Sequence, residues 1–386
     1  MIRKFFFPLL LTLLFLTGCS DETIPATSEE KFGVNEEIIN ETSNSNKKLQ
    51  YIKHNADYYE NGVVFGNDTA MFLDYDTMEK APLCAAPNCT HNNSSCLANT
   101  VGTTPIMYND SIYYFDSIAG VNETPDGREF YIDSKLMKAT LDSSETEIVC
   151  EFTDCSPPIV NAHYLLADNI LYFVGDDMCP IEDEYGGISY SNVGGTHFLC
   201  SINLDTGKYE NYGSIYDEDK EFEMAVASSG ANITGYYEGK MYLQYLFMKE
   251  DPVVLGIAPE ENWTRVNFEF DLESKELTES ELPAAIFMDE DTYVYVDNNR
   301  KLTTIIDGTE KYDIPHFNLM SMNASVFNNK IFFTDKWFEL TNLTEHNYGE
   351  YEGYEVVGYH DDCYILIKGG KTAKLTEEEL LALDKE

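Results

Sequence analysis

The chain is expected to be all-β: a β-propeller of seven blades, with six or eight as the alternative counts, followed by a short C-terminal helix. Three observations predict this. A turn pair followed by an apolar, aromatic strand recurs seven times between residues 51 and 375. A second strand ending in an acidic or small turn follows most of these. The 27 tyrosines and 22 phenylalanines fall mostly inside the repeated strands, where packing between units accounts for them.

The turn pairs come in order along the chain. Asn61-Gly62 precedes "VVFG", Asn109-Asp110 precedes "SIYYF", and Asp168-Asn169 precedes "ILYFV". Glu238-Gly239 precedes "KMYLQYLF" and Glu290-Asp291 precedes "TYVYV". Asn328-Asn329 and Asp361-Asp362 open "KIFF" and "CYILI". Gly, Asn and Asp tolerate the positive φ of tight hairpins, and the residues after them suit a pleated surface. The second strand stands as "MFLDYDTMEK", "KLMKATLDSSE", "FLCSINLDTGK" and "FEFDLESKE", and a fourth strand as "TEIVCEF" and "TEKYDIP". Units of about 40 to 50 residues with insertions match blades that cover one another's apolar faces. A row of β-sandwiches would need composition breaks between domains, and there are none.

Ahead of the repeats, "MIRKFFFPLLLTLLFLTGCS" places Arg3 and Lys4 before an apolar run too short to span a bilayer. Its end, Leu16-Thr17-Gly18-Cys19, resembles the lipobox of bacterial lipoproteins. The resemblance implies a signal peptide over residues 1–18 and a lipid on Cys19, which anchors the chain to the extracytoplasmic face of the cell membrane. Residues 19–50, rich in Ser, Thr, Asn and Glu, are expected to be a flexible tether with a reach of about 30 Å. Residues 51–386 then form the propeller domain.

With 25 basic and 68 acidic residues, the formal net charge is −43. Such a surface repels phosphates, so nucleic acid is excluded as a partner. A protein or glycan ligand and divalent cations stay open, and the charge alone would keep an exported monomer soluble.

"PLCAAPNCTHNNSSC" contains the candidate metal ligands Cys84, Cys89, His91 and Cys96, where the first blade should cross to the second. Residues two apart in an extended segment share a side, which would aim Cys89 and His91 at one ion. Ala85, Ala86 and Pro87 could turn the chain to bring in Cys84. Three thiolates and an imidazole suit a closed tetrahedral zinc site. Disulfides compete, because nine cysteines with Cys19 acylated leave an even number in an exported chain. Cys150 and Cys155 repeat the spacing of Cys84 and Cys89, and Cys179 with Cys200 could bridge an insertion. Both readings stay open. A Rieske cluster would need a second Cys-x-x-His box, and c-type haem needs Cys-x-x-Cys-His; neither is present.

The phrases "NDSIYYF" and "LCSINLDTG", with "PLCAAPNCTH" after the first repeat, resemble those of TolB-like, propeller-bearing lipoproteins of gut clostridia. The resemblance covers residues 51–375 and is weakest in the last two units. It implies a propeller and no particular activity.

No other chemistry stands out. "IKGGKT" ends like a phosphate-binding loop but lacks its first glycine, since Ile365 stands there. There is no His-Glu-x-x-His, Gly-x-Ser-x-Gly or Gly-x-Gly-x-x-Gly, so no catalytic residue is assigned. The acidic run from Asp176 to Gly187 lacks the alternating ligands of a calcium loop and reads as a solvated insertion. Trp263 and Trp337 are expected in the core. Thr376 and Glu379 form a capping box that starts a helix through Leu380, Leu381 and Leu383. The function this predicts is a non-catalytic ligand- or protein-binding module. The alternative is an extracytoplasmic hydrolase acting on glycans or peptides at a central channel.

Overall fold

A computed structural model describes residues 50–383 except 54–55, 60–61, 66–68, 93–95, 102–104, 110, 125–126, 153–163, 177–178, 183–187, 192–196, 216–228, 238, 249–262, 283–284, 288–292, 297–301, 307–308, 315–324, 334 and 340–343. The expected leader, Cys19, Cys155, the Glu290-Asp291 turn and nearly all of the tether lie outside the described residues.

Strand β1 (Gln50–Lys53) is followed by seven antiparallel units. The first holds β2 (Ala56–Tyr59), β3 (Gly62–Phe65), β4 (Met71–Asp74) and β5 (Lys80–Pro82). A short helix, α1 (Leu97–Thr100), leads to the second: β6 (Ile106–Tyr108), β7 (Ser111–Thr124), β8 (Gly127–Thr140) and β9 (Thr146–Phe152). The third holds β10 (Tyr164–Ala167) and β11 (Ile170–Asp176), an inserted hairpin of β12 (Cys179–Glu182) and β13 (Ile188–Ser191), then β14 (His197–Asn203) and β15 (Tyr209–Ser214). The fourth is β16 (Ser229–Tyr237), β17 (Lys240–Met248), β18 (Trp263–Asp271) and β19 (Leu277–Glu279). Next come β20 (Ala285–Phe287), β21 (Tyr293–Val296), β22 (Leu302–Ile306) and β23 (Thr309–Ile314). The sixth unit is β24 (Ser325–Phe327), β25 (Lys330–Phe332), β26 (Lys336–Glu339) and β27 (Glu345–Asn347). The seventh has three strands, β28 (Glu355–His360), β29 (Cys363–Lys368) and β30 (Lys371–Thr376), and runs into α2 (Glu377–Ala382).

The turn chemistry behaves as the sequence predicts. Asn109, Asp168, Asn328, Asn329, Asp361 and Asp362 all take positive φ between first and second strands of their units. Between third and fourth strands a carboxylate or amide accepts from the backbone it precedes. Asp74 Oδ1 takes the Thr77 N–H at 2.7 Å and Asn203 Oδ1 the Thr206 N–H at 3.0 Å. Asp271 Oδ1 takes the Ser274 N–H at 2.8 Å, and Asp142 Oδ1 the Ser144 N–H at 2.9 Å. The Ser274 N–H lowers the Asp271 pKa, and the Ser144 N–H is the main cause of an Asp142 pKa held at about 2.

Among the described residues, neighbouring sheets cover one another's apolar faces at five contacts. Val64 and Phe72 of unit one pack with Met107, Ile112 and Tyr114 of unit two. Tyr113 and Leu136 pack with Leu171 and Phe173 of unit three, and Tyr172 and Leu199 with Leu243 and Phe270 of unit four. Phe332 and Trp337 of unit six meet Tyr364 and Leu366 of unit seven. The last unit then packs on the first, Val357 and Ile365 against Val63, Leu73 and Tyr75. At that contact Tyr75 Oη donates to the Val357 carbonyl, and a Cβ on Gly358 would stand 2.4 Å from the Tyr75 ring. Glycine is therefore required there.

Several details go beyond what the sequence predicts. The strand β1, on the border of the expected tether, pairs with both β2 and β10 and joins units one and three in a nine-stranded sheet. Part of the acidic insertion, Cys179–Glu182, is a strand that pairs with β13. The C-terminal helix has the predicted Thr376/Glu379 capping box and spans Glu377–Ala382, starting directly where β30 ends. Leu380 is buried, which docks this short helix on the sheet. Among the described residues no helix is long and apolar enough to cross a membrane.

Candidate metal centre

The segment joining β5 to α1 carries the cysteine and histidine cluster, and four local devices shape it. Leu83 N–H donates to the Ala70 carbonyl at 2.8 Å, which continues β5 pairing by one step. Ala85 N–H donates across to the Leu141 carbonyl of unit two, also at 2.8 Å. Next, Ala86-Pro87-Asn88-Cys89 forms a turn closed by Cys89 N–H on the Ala86 carbonyl at 3.1 Å. Pro87 pre-sets the second position and Asn88, at φ 62°, supplies the left-handed third. Finally, Ala70 N–H donates to the Ala98 carbonyl at 2.8 Å and Thr69 Oγ1 to Asn99 Oδ1 at 2.7 Å, which fixes α1 beside unit one.

These devices bring Cys84 Sγ, Cys89 Sγ, a His91 ring nitrogen and Cys96 Sγ within 4.8 Å of one another. All four predicted ligands converge. The reason differs from the sequence argument in one respect: His91 is not extended but sits at φ 55°, so backbone reversal and not strand alternation aims its ring at the thiols. Asn99 Nδ2 donates to the His91 carbonyl at 3.2 Å and holds that reversal, while His91 Nδ1 lies 3.4 Å from Cys96 Sγ.

Cys84 and Cys96 are 1% and 2% exposed, and Cys89 and His91 are half-buried, so the cluster has an inner and an outer side. It sits in the core between units one and two, with Leu83, Leu97 and Ala98 packed around it. Burial would raise the Cys84 pKa, but the Ala86 and Leu97 backbone groups and the Cys96 and Cys89 thiols outweigh it and leave the pKa below its ordinary value. Cys96 is pushed the other way, up to about 11, first by burial and then by its cysteine neighbours. Ionisation is thus easier at Cys84 than at Cys96.

Cys84, Cys89, Cys96 and Cys363 are free thiols in the structure. Cys200 is buried 3.3 Å from Tyr209 Oη. The Cys150–Cys155 and Cys179–Cys200 staples each involve a side chain outside the described residues. Sequence reasoning missed a second group, Asp76, His360 and Asp361, because its members are brought together only by the contact between the first and last units.

No family model and no curated protein matches the chain. Among solved structures, it is similar to an oligogalacturonate lyase in complex with manganese, at 14% identity over 86% of this chain and 91% of that one, with a TM-score of 0.40. A second oligogalacturonate lyase, from Vibrio parahaemolyticus, is 12% identical over 84% of this chain and 90% of that one, with a TM-score of 0.41. TolB from Acinetobacter baumannii is 9% identical over 77% of this chain and 62% of that one, with a TM-score of 0.30.

Proposed function

We propose that the chain is a lipid-anchored, extracytoplasmic binding module. In this reading Cys19 carries the anchor and the seven units are the blades of one β-propeller. Cys84, Cys89, His91 and Cys96 hold a structural zinc ion where the first blade passes to the second. The observation that carries the metal reading is the convergence of three sulfurs and an imidazole nitrogen within 4.8 Å. Four protein ligands close a tetrahedral shell and leave no position for a substrate, so the ion works as a staple. The ring is supported by the packing of the seventh unit on the first. The anchor is supported by the leader and its Leu-Thr-Gly-Cys end. A protein or glycan ligand suits the acidic surface better than nucleic acid does.

The metal is tested on full-length protein purified without oxygen. Metal analysis is expected to give about one equivalent of zinc, and the three cysteines should become alkylatable only after chelation. His91→Ala should lower the bound metal severalfold. Intact masses that reveal disulfides at these cysteines, with no metal, would sink the zinc reading. The anchor has its own test. Cys19→Ala should move the protein from the membrane fraction to the soluble one, and continued membrane retention would overturn it.

A further inference from the structure

We propose that Asp76, His360 and Asp361 form a second divalent-metal site that clamps the first unit to the last. It is separate from the cysteine cluster and does not depend on it. Asp76 lies in the turn after β4, His360 ends β28, and Asp361 begins the hairpin to β29. Asp76 Oδ1 stands 2.7 Å from His360 Nε2, and Asp361 Oδ2 stands 3.6 Å from the same nitrogen.

A histidine–aspartate hydrogen bond explains only half of this arrangement. One Nε2–H can serve Asp76, but it leaves a second carboxylate drawn into the same spot on a chain of net charge −43. Two carboxylates crowded together repel unless a cation lies between them. Ligand atoms about 2.1 Å from a zinc-like ion, at angles between octahedral and tetrahedral, stand about 3.0 to 3.4 Å apart. The two observed distances bracket that spacing, so small side-chain adjustments would bring all three atoms into one shell. On binding, the ion takes the Nε2 lone pair, and the neutral ring carries its proton on Nδ1.

Both sides of the site are held in place by contacts of the surrounding seam. The Tyr75 ring packs 5.9 Å from the His360 ring, while its hydroxyl donates to the Val357 carbonyl. Lys374 Nζ donates to the Tyr75 carbonyl at 3.2 Å, and Lys80 Nζ to the Gly370 carbonyl. The site is therefore preformed by the seam between two units 284 residues apart in sequence. Asp76 and Asp361 are 60% and 74% exposed, which gives an ion direct access and leaves room for water to complete its shell. Carboxylate oxygen with a single imidazole suits zinc, manganese, cobalt or nickel.

The experiment titrates the full-length protein with Zn²⁺ and follows binding by calorimetry and unfolding by temperature. A second, weaker equivalent is expected, raising Tm by about 2 to 5 °C at a hundredfold excess over its dissociation constant. Asp361→Asn keeps a residue that tolerates the φ of 51°, and it leaves the His360–Asp76 bond untouched. That variant should keep the metal-free Tm and bind the second ion about tenfold more weakly or worse. His360→Ala should abolish the second event, and His91→Ala should leave it intact while removing the first. The proposal is overturned if no saturable second event occurs, if Asp361→Asn and His360→Ala leave it unchanged, or if Mg²⁺ at equal ionic strength raises Tm as much. Because the second event is read in the His91→Ala background, failure at the cysteine cluster leaves this result separately legible.

Discussion

Cys84→Ser is expected to lower zinc affinity by more than about 100-fold, since altering outer partners of a metal ligand alone costs up to that much. The physical reason is the preparation of this sulfur. Cys84 is buried in the core between two units, and its neighbours favour the thiolate. A hydroxyl in its place does not ionise and is a poor ligand for zinc. At a hundredfold excess of ion over the wild-type dissociation constant, the stability lost is about 2.3 kcal/mol, rising to about 2.7 kcal/mol if binding is abolished. Affinity in the unaltered protein should also depend on pH with a definite sign. Cys96 holds its proton up to about pH 11, and zinc must displace it. The apparent affinity should therefore rise about tenfold per pH unit between pH 6 and 8 for this proton alone. A competition titration at several pH values measures the slope, and a flat or falling profile would contradict thiolate ligation.

Trp337→Ala is the second large effect, with an expected loss of about 3 to 5 kcal/mol. Trp337 is fully buried and lies flat on His346 with ring centres 4.0 Å apart. Phe332 packs on it at 5.9 Å, in the cluster shared by units six and seven. Lys330 Nζ stands 5.9 Å from its ring centre and 2.9 Å from Glu377 Oε1 at the start of α2. Burial would lower the Lys330 pKa, but Glu377 and Tyr364 reverse this and raise it, so the buried charge is kept by its partners. Removing the indole opens a cavity and takes away the ring that faces Lys330 Nζ. Urea unfolding should show the midpoint lowered with the slope unchanged. A loss below about 1 kcal/mol would mean that this cluster is not part of a tightly packed interface.

Much of this fold was legible because its signals are local. Each of "VVF", "SIYYF", "ILYFV" and "CYILI" became a second strand, since a turn pair and an alternating apolar face act within a few residues of each other. The cysteine cluster was legible for a similar reason, its four ligands lying within thirteen residues of chain from Cys84 to Cys96. What the sequence hid depends on distant partners. Strand β1 has no apolar alternation of note and is ordered by pairing with β10, more than a hundred residues away. The meeting of Asp76 with His360 is of the same kind, since nothing near either residue marks the other. His91 shows a subtler failure, because a left-handed residue outside Gly, Asn and Asp has no sequence sign, and its cause is an amide from α1.

The contact between the first and last units also orders events in time. Val63, Leu73 and Tyr75 are covered by Val357 and Ile365, residues made nearly three hundred positions later. Local hairpins can close early, but this contact must wait for a loop of nearly three hundred residues, and its closure entropy is the largest in the molecule. Until then the first unit offers water an apolar face that only its final neighbour can cover. An assembling chain thus exposes this early-made face to aggregation until the much later seventh unit covers it.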